Sequence, residues 1–237
     1  MLGFGGMSVT ADEPVPNGGM RPEDSSLWVV DDGVTVQRDG LTLLQLFAIF
    51  AEELRVKGRT WHDPGLRAIL VYRFGVWANS LDRSTPLNRI RARFLSLIYL
   101  TGHRFVRNHY GIEVHRESVI GRGTEFVHQH GIQILKHTRI GDRCRIMHDV
   151  TLGNAGRGGV PGEVPILGSD VMVGAGAKIM GRVKIGDGAR IGPNVVVYTD
   201  IPAGATVVGS SPRIIYAPET VSAKAKSKAA RQAATDS

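Results

Sequence analysis

Branched aliphatic and small apolar residues recur at every sixth position through the C-terminal half of the chain. A first set runs without a break from residue 167, and a second set with the same step lies four residues later. A glycine follows several members of the first set. The first set is Leu167, Val173, Ile179, Ile185, Ile191 and Val197, and the second is Val171, Ala177, Val183, Ala189, Val195 and Ile201.

A period of six matches neither the period of an α-helix nor the alternation of a half-buried strand. It is typical of a parallel β-helix, in which each hexapeptide forms one flat side of a triangular coil and three complete a turn. The aliphatic residues are expected to point inward and to stack on those of the next turn. The sequence therefore predicts a mainly β protein with a parallel β-helix over residues 111–215.

The six-residue step is disturbed at two places. One block of aliphatic positions runs from Ile120 to Ile132 and the next from Ile134 to Leu152, and the two blocks are offset by two residues close to His128. A longer break follows Leu152, where the sequence GNAGRGGVPGEVP predicts a loop that projects from a corner. Loops on a regular scaffold often carry function.

The segments outside the six-residue pattern differ in composition. Residues 1–40 are predicted to be disordered, because Gly, Pro, Asp and Glu dominate most of this range. Residues 41–110 are predicted to be α-helical, and residues 216–237 to be a disordered basic tail rich in Ala and Lys. The expected helices cover about 41–56, 64–79 and 86–110.

The third predicted helix, over residues 86–110, is rich in arginine as well as in leucine. Two interpretations stay open: a helix packed on its neighbours with a solvated basic face, or a helix lying on an anionic membrane surface. Its arginines are Arg89, Arg91, Arg93, Arg104 and Arg107.

Composition and charge exclude several classes of protein. The formal net charge is +7 and the pI is about 9.8, which fits either a solvated basic surface or an acidic ligand or anionic surface as partner. A nucleic-acid partner is not indicated, because basic residues are not interleaved with aromatics and no helix-turn-helix pattern is present. One cysteine allows no disulfide within the chain, and neither a signal peptide nor a long apolar stretch is found. The prediction is a cytoplasmic protein.

Histidine is the side chain best suited to general-base catalysis near neutral pH, and the chain has eight. Those within the predicted coil occupy varied phases of the six-residue step, so no three are expected to converge on one point. No metal site is therefore predicted.

Several short motifs lie within the coil and just before it. They are GAGAKI (174–179), IGDGARIG (185–192), DVTLG (149–153), IPAGAT (201–206), AILVYRFGVW (68–77) and RNHYGIE (107–113). In these motifs the chain resembles the hexapeptide-repeat acyltransferases, and within them the serine acetyltransferases and their exopolysaccharide-associated O-acetyltransferase relatives. The resemblance implies a left-handed β-helix and an enzyme that moves acetyl from acetyl-CoA, as donor substrate, directly to a hydroxyl.

The resemblance also implies a catalytic pair. In the family, a histidine just before a Gly-Ile-x-Ile segment acts as general base, and an acidic residue about fifteen positions earlier orients it. His128 precedes the sequence GIQI, and Glu113 lies fifteen positions before His128, where the family usually has Asp. A base is needed because a hydroxyl is a weak nucleophile until its proton is removed, and a carboxylate stabilises the imidazolium that forms.

In the family the pantetheine arm of CoA lies in a groove between adjacent coils. By position, the resemblance places Gly153, Ala175 and Pro193 along this groove, with Lys178 or Arg190 near a phosphate. It also implies a homotrimer with active sites between subunits, and the N-terminal helices offer a surface for higher assembly.

The expected acceptor is a small molecule with a hydroxyl group. Serine acetyltransferases have Asp immediately before the base and an Arg-His pair near the end of the projecting loop, whereas this chain has Val127 and Glu163-Val164. The segment that would hold their acidic serine contact is shortened, and Asp63 is the nearest substitute. Because serine carries two charges that need charged partners, the sequence favours a sugar hydroxyl of a surface polysaccharide precursor. L-serine is the alternative acceptor, and a non-catalytic β-helix scaffold is the second alternative.

Overall fold

The computed structural model describes residues 27–31, 34–55, 60–154 and 163–210. The N-terminal part contains a hairpin of two strands followed by three helices. Their bounds are β1 Trp28–Asp31, β2 Val34–Gln37, α1 Leu43–Arg55, α2 Pro64–Ser80 and α3 Pro86–Tyr110.

Very short parallel strands then follow one another to the end of the described chain. The first seven are β3 Ile112–Val114, β4 Val119–Ile120, β5 Glu125–Val127, β6 Ile132–Ile134, β7 Arg139–Ile140, β8 Arg145–Met147 and β9 Thr151–Gly153. The next seven are β10 Ile166–Leu167, β11 Met172–Val173, β12 Lys178–Met180, β13 Lys184–Ile185, β14 Arg190–Ile191, β15 Val196–Val197 and β16 Thr206–Val207.

Successive strands are added in rotation to three parallel sheets, so the chain winds as a triangular prism. The sheets have the orders β13-β10-β7-β4, β16-β14-β11-β8-β5 and β15-β12-β9-β6-β3. The aliphatic residues of the six-residue pattern fill the interior, and Ile140, Leu167 and Ile179 are fully buried. The predicted parallel β-helix with an N-terminal helical region is therefore confirmed.

The offset of two residues in the aliphatic pattern corresponds to one enlarged corner. Strand register aligns Phe126 with Ile146 and Ile134 with Leu152. The inward residues Phe126 and Ile134 are therefore eight positions apart, whereas the next pair, Ile146 and Leu152, is six apart. The extra residues lie in the corner between β5 and β6, which contains His128.

Helix α2 covers the first turn of the β-helix, where stacking would otherwise leave exposed backbone. The Tyr72 hydroxyl donates to the Ser118 carbonyl (2.9 Å) and accepts from the Ile120 amide (3.1 Å). Burial raises the pKa of Tyr72. Arg73 donates to the carbonyls of Ile120 and Gly121, each at 2.8 Å. These bonds satisfy the polar groups of the first coil.

The charge of Arg73 is neutralised by Glu53 of helix α1. Its Nη2 lies 3.0 Å from Oε1 of Glu53, and both side chains are at most 2% exposed. The guanidinium also lies over the ring of Trp28, 4.9 Å from its centroid. One buried cation therefore ties α1, α2 and the β-helix together.

The prediction that residues 1–40 are disordered is wrong for the hairpin of β1 and β2. The hairpin has side-chain partners in the β-helix: the Thr35 hydroxyl donates to Asp142 (2.5 Å), and Arg139 pairs with Asp31 (3.1 Å). The Trp28 indole N–H donates to Glu52 of α1 (2.9 Å). The local signal for these strands is the enrichment of aromatic and β-branched residues in WVVD and VTVQ. Residues 1–26 and the predicted tail at 216–237 lie outside the described residues.

Candidate active site

One edge of the prism brings together three of the residues that were expected to carry chemistry: His128, Ala175 and Pro193. This edge, called the site edge below, consists of the corners at residues 128–131, 148–150, 174–177 and 192–195. Backbone bonds stack each corner on the next: Asp149 N–H to the His130 carbonyl (2.9 Å), Gly176 N–H to His148 (3.1 Å) and Asn194 N–H to Ala175 (2.8 Å). A ligand lying along the site edge would therefore meet several turns of the coil.

A cavity of about 460 Å³ opens at the first two corners of the site edge. Its wall combines a helix start with two histidines from successive turns. The lining residues are Asp63, Pro64, His128, Gln129 and His148.

His128 lies in the enlarged corner, where its exposed imidazole faces the cavity. Its backbone has a φ of 65°, a left-handed conformation that is uncommon for residues other than glycine. The neighbouring Gly131 also has a positive φ, and a side chain there would collide with the backbone of Asp149. The corner thus holds His128 outward, in a left-handed conformation that His137, Arg143 and Asp170 of other corners share.

His148 lines the cavity although no role was predicted for it from the sequence, and Asp63, considered from the sequence only as a substitute for an acidic serine contact, lines it as well. The ring centroids of His128 and His148 are 5.7 Å apart, with 66° between the ring planes. A signal for this pairing exists: each histidine follows an inward residue, Phe126 or Ile146, by two positions, and those residues are register partners.

Asp63 is held in the cavity by its role at the start of α2. It is the N-cap of that helix, and its Oδ1 accepts from the Gly65 amide at 2.9 Å. Gly65 packs so closely on the Phe126 carbonyl that a side chain there would overlap it. The helix start is therefore fixed against β5, and this contact brings the Asp63 carboxylate to the same cavity as His128.

Glu113 forms no ion pair with His128 within the described part of one chain. It lies on β3 beside Gln133 of β6, and its Oε1 is 3.8 Å from both the Arg107 guanidinium and His115 Nε2. The predicted orientation of His128 by Glu113 is consequently not seen in a single protomer.

The residues expected to contact CoA are divided between the site edge and the sheets on either side of it. Ala175 and Pro193 occupy equivalent places in consecutive corners, and Gly153 ends β9 on the adjoining sheet. A side chain at Gly153 would come within 3.1 Å of Leu135. Gly153 is thus covered by Leu135, whereas Ala175 and Pro193 stay accessible along the site edge.

The two expected phosphate partners differ in their surroundings. Lys178 Nζ is 2.9 Å from the Asp149 carboxylate and 2.5 Å from the Asp149 carbonyl. These contacts with Lys178 lower the pKa of Asp149. Arg190 is exposed on β14, and no carboxylate of the described residues forms an ion pair with it. Arg190 is thus the cation of the two that is available to a phosphate.

Cys144 is unsuited to nucleophilic catalysis. Its side chain is fully buried beside the Gly168 carbonyl (3.1 Å from Sγ), and burial raises its pKa to about 12. A thiol that stays protonated at neutral pH is a poor nucleophile. Among the described residues, no group of three or more His, Cys, Asp or Glu side chains is arranged to hold a metal ion.

Comparison with known proteins identifies the repeat and the relatives. Residues 165–199 match the bacterial transferase hexapeptide (six repeats) family. Serine acetyltransferase of Helicobacter pylori is 40% identical over 153 residues, which are 64% of this chain and 81% of that enzyme. Serine acetyltransferase of Escherichia coli K12 is 33% identical over 156 residues, 66% of this chain and 52% of the relative.

A solved structure resembles this chain in architecture as well as in sequence. A serine acetyltransferase in complex with CoA superposes with a TM-score of 0.56 at 25% identity, covering 73% of this chain and 71% of that chain. The identity to the H. pylori enzyme extends over 81% of that enzyme's length. The chain belongs to the serine acetyltransferase family of hexapeptide-repeat acyltransferases.

Proposed function

We propose that the protein transfers acetyl from acetyl-CoA to the hydroxyl of L-serine, with His128 as the general base. The observation that carries this proposal is the exposed His128 imidazole in a cavity that also holds the Asp63 carboxylate. Incubation with acetyl-CoA and L-serine, followed by detection of free CoA thiol and O-acetylserine, tests it. The lone buried cysteine and the CoA donor support a cytoplasmic location.

The chemistry requires few groups. The neutral imidazole of His128 removes the proton of the acceptor hydroxyl as its oxygen attacks the thioester carbonyl. The tetrahedral intermediate then collapses, the C–S bond breaks, and the CoA sulfur leaves with the proton that His128 held. No acyl-enzyme is needed, which agrees with the buried position of the only cysteine.

The donor fits the site edge. The pantetheine arm was expected to lie in a groove between adjacent coils, and Ala175 and Pro193 follow the cavity along the site edge. The backbone amides and carbonyls of parallel coils there suit the amides of a pantetheine arm. We assign Arg190 as the phosphate contact in preference to Lys178, because Lys178 already pairs with Asp149.

L-serine has better support than a sugar as the acceptor. Both relatives described above are serine acetyltransferases. An ammonium group buried on binding needs an anionic partner, and Asp63 provides a carboxylate on the wall of the cavity. The sequence favoured a sugar because the charged residues that bind serine in the family are replaced in this chain. Asp63 supplies one charge of that kind.

Asp63→Asn is expected to raise the KM for L-serine by about 10- to 100-fold, the effect of losing a charge-assisted hydrogen bond. Asn is as good an N-cap as Asp, so α2 should keep its start and the change should report the charge alone. The KM for acetyl-CoA, measured in the same assay, is the control. An unchanged KM for serine would show that the Asp63 carboxylate does not bind the acceptor.

A sugar hydroxyl is the second candidate, and one observation favours it. Val164 takes the place of a charged residue of the serine-binding loop and is only 3% exposed, while Val127 precedes the base. Neither side chain can pair with the serine carboxylate. In a screen of L-serine against neutral sugars and sugar nucleotides, faster thiol release with a sugar would select this candidate.

The position of Glu113 supports a site shared between subunits. We propose a homotrimer in which Glu113 of one protomer orients His128 of the next, because the two do not pair within one chain. An exposed histidine in the corner of a prism is accessible to a neighbouring coil in a closed cyclic assembly.

Subunit mixing distinguishes a shared site from a site within one chain. Glu113→Gln and His128→Ala proteins are expected to be nearly inactive when pure. After mixed refolding or co-expression in equal amounts, about a quarter of the sites should combine an intact Glu113 with an intact His128, and activity should return to that extent. Absence of any recovery, with mixed trimers verified by differential tags, would show that the pair does not span two subunits.

A further inference from the structure

Helix α3 packs on the rest of the protein along a narrow stripe. Its buried side chains are spaced so that they fall on one line along the helix: Ala92, Tyr99, Val106 and Tyr110. Tyr99 and Tyr110 are at most 7% exposed, whereas most other residues of α3 face solvent. The remaining surface of this long helix is therefore available for contact.

Apolar residues dominate the face opposite the buried stripe. At 100° per residue they form one band along the helix, with Thr101 among them, and the Thr101 hydroxyl is bonded back to the Leu97 carbonyl (2.9 Å). We call this band the apolar face of α3. Its members are Leu87 (75% exposed), Ile90 (64%), Phe94 (62%), Leu97 (60%), Ile98 (45%) and Phe105 (53%).

Cationic residues border the apolar face on both sides. The same helical geometry places Arg91 on one flank and Arg93 and Arg104 on the other. Each of these three is exposed, and among the described residues none forms an ion pair with a carboxylate. The sequence of α3 contains no Asp or Glu. The three arginines beside the apolar face are thus uncompensated among the described residues.

We propose that the apolar face of α3 binds the surface of an anionic phospholipid membrane. An exposed apolar band flanked by arginines is the arrangement of a helix that lies in the plane of the interface, with apolar side chains among acyl chains and guanidinium groups at lipid phosphates. The other interpretation from the sequence, a packed helix with only a basic solvated face, does not account for the exposed Phe94 and Leu97.

A second copy of the chain fits this face less well than lipid does. Antiparallel or parallel pairing of two α3 helices would bring arginines of like charge together at the rim, with no acidic residue on either helix to offset them. Anionic phosphates complement the same arginines. Among the described helices, none has the length and hydropathy needed to cross a bilayer, so binding is peripheral.

Co-sedimentation of the full-length protein with lipid vesicles tests the proposal. The protein is expected to pellet with vesicles in which about a third of the lipid is phosphatidylglycerol, and not with phosphatidylcholine alone. Raising NaCl to about 0.5 M should weaken this binding. Arg91→Gln, Arg93→Gln and Arg104→Gln together should reduce the partition coefficient on the order of 100-fold.

Phe94→Gln combined with Leu97→Gln should reduce binding to a similar degree, and Leu44→Gln is the matched control. Leu44 is 82% exposed on α1, outside the apolar face of α3, so its variant should bind vesicles like the natural protein. Failure to bind anionic vesicles would overturn the proposal. If, in addition, the double variant changes the sedimentation velocity of the protein, the face is an interface between copies.

Acetyl transfer to a soluble acceptor separates this proposal from the proposed function. The α3 variants lie away from the cavity and should keep their turnover within about twofold. Variants that lose vesicle binding but keep full turnover would support the membrane surface. Absence of turnover in the natural protein would contradict the proposed function and would leave the membrane surface unaffected.

Discussion

His128→Ala should lower kcat/KM for acetyl transfer by about 100-fold or more, the usual result of removing a general base. Because the imidazole is exposed at the cavity, the variant should fold and should bind acetyl-CoA with an unchanged Kd. Release of CoA thiol measures the rate, and calorimetric titration measures binding. An equal fall in kcat and kcat/KM would locate the loss in the transition state.

His130→Ala is the matched control for this experiment. His130 is also exposed and also has a positive φ, but it does not line the cavity. Its variant should stay within a few-fold of the natural rate. His115→Ala addresses the remaining alternative, since His115 is the histidine near Glu113 within the chain. If His115→Ala were inactive and His128→Ala active, the base would be the histidine that Glu113 approaches within its own chain.

Arg73→Met should cost about 3–5 kcal/mol of the free energy of unfolding, the magnitude for breaking a buried ion pair on one side. Removal of the guanidinium deprives Glu53 of this cation and leaves the carbonyls of Ile120 and Gly121 without their side-chain donor. Equilibrium urea unfolding at a fixed protein concentration, followed by circular dichroism, measures the change.

The same substitution at Arg143 provides the comparison. Arg143 pairs with Asp170 at 2.5 Å, but both side chains are more than half exposed. An ion pair at the surface contributes about 0–1 kcal/mol, so Arg143→Met should shift the urea midpoint little. Similar losses in the free energy of unfolding for the two variants would mean that burial does not explain the contribution of Arg73 to stability.

The six-residue spacing was sufficient to predict the β-helix because each inward position is read directly from hydrophobicity. The offset of two residues near His128 was also visible in this spacing, whereas the register of Phe126 with Ile146, 20 residues apart, was not predicted from it. The hairpin at Trp28 could not be recognised from composition, since its stability comes from distant partners such as Glu52 and Asp142.

The site was predictable only where it belongs to the repeat. Asp63 reaches the cavity because Gly65 lets α2 approach the Phe126 carbonyl, a tertiary contact that no local pattern records. Lys178 was expected to be available to a phosphate, but its neighbour across the turn, Asp149, already binds it. Such pairings depend on three-dimensional neighbours separated by tens of residues, which sequence spacing alone does not specify.

The buried thiol of Cys144 can be used to measure how often the core of the β-helix opens. Only one cysteine exists, and it sits at the wall between two coils, so a disulfide reagent can reach it only after those coils separate. Labelling rates in the native state would therefore give the free energy of that separation directly. For the same reason, folded enzyme adds no background when liberated CoA is titrated with such a reagent, and kinetics can be followed continuously.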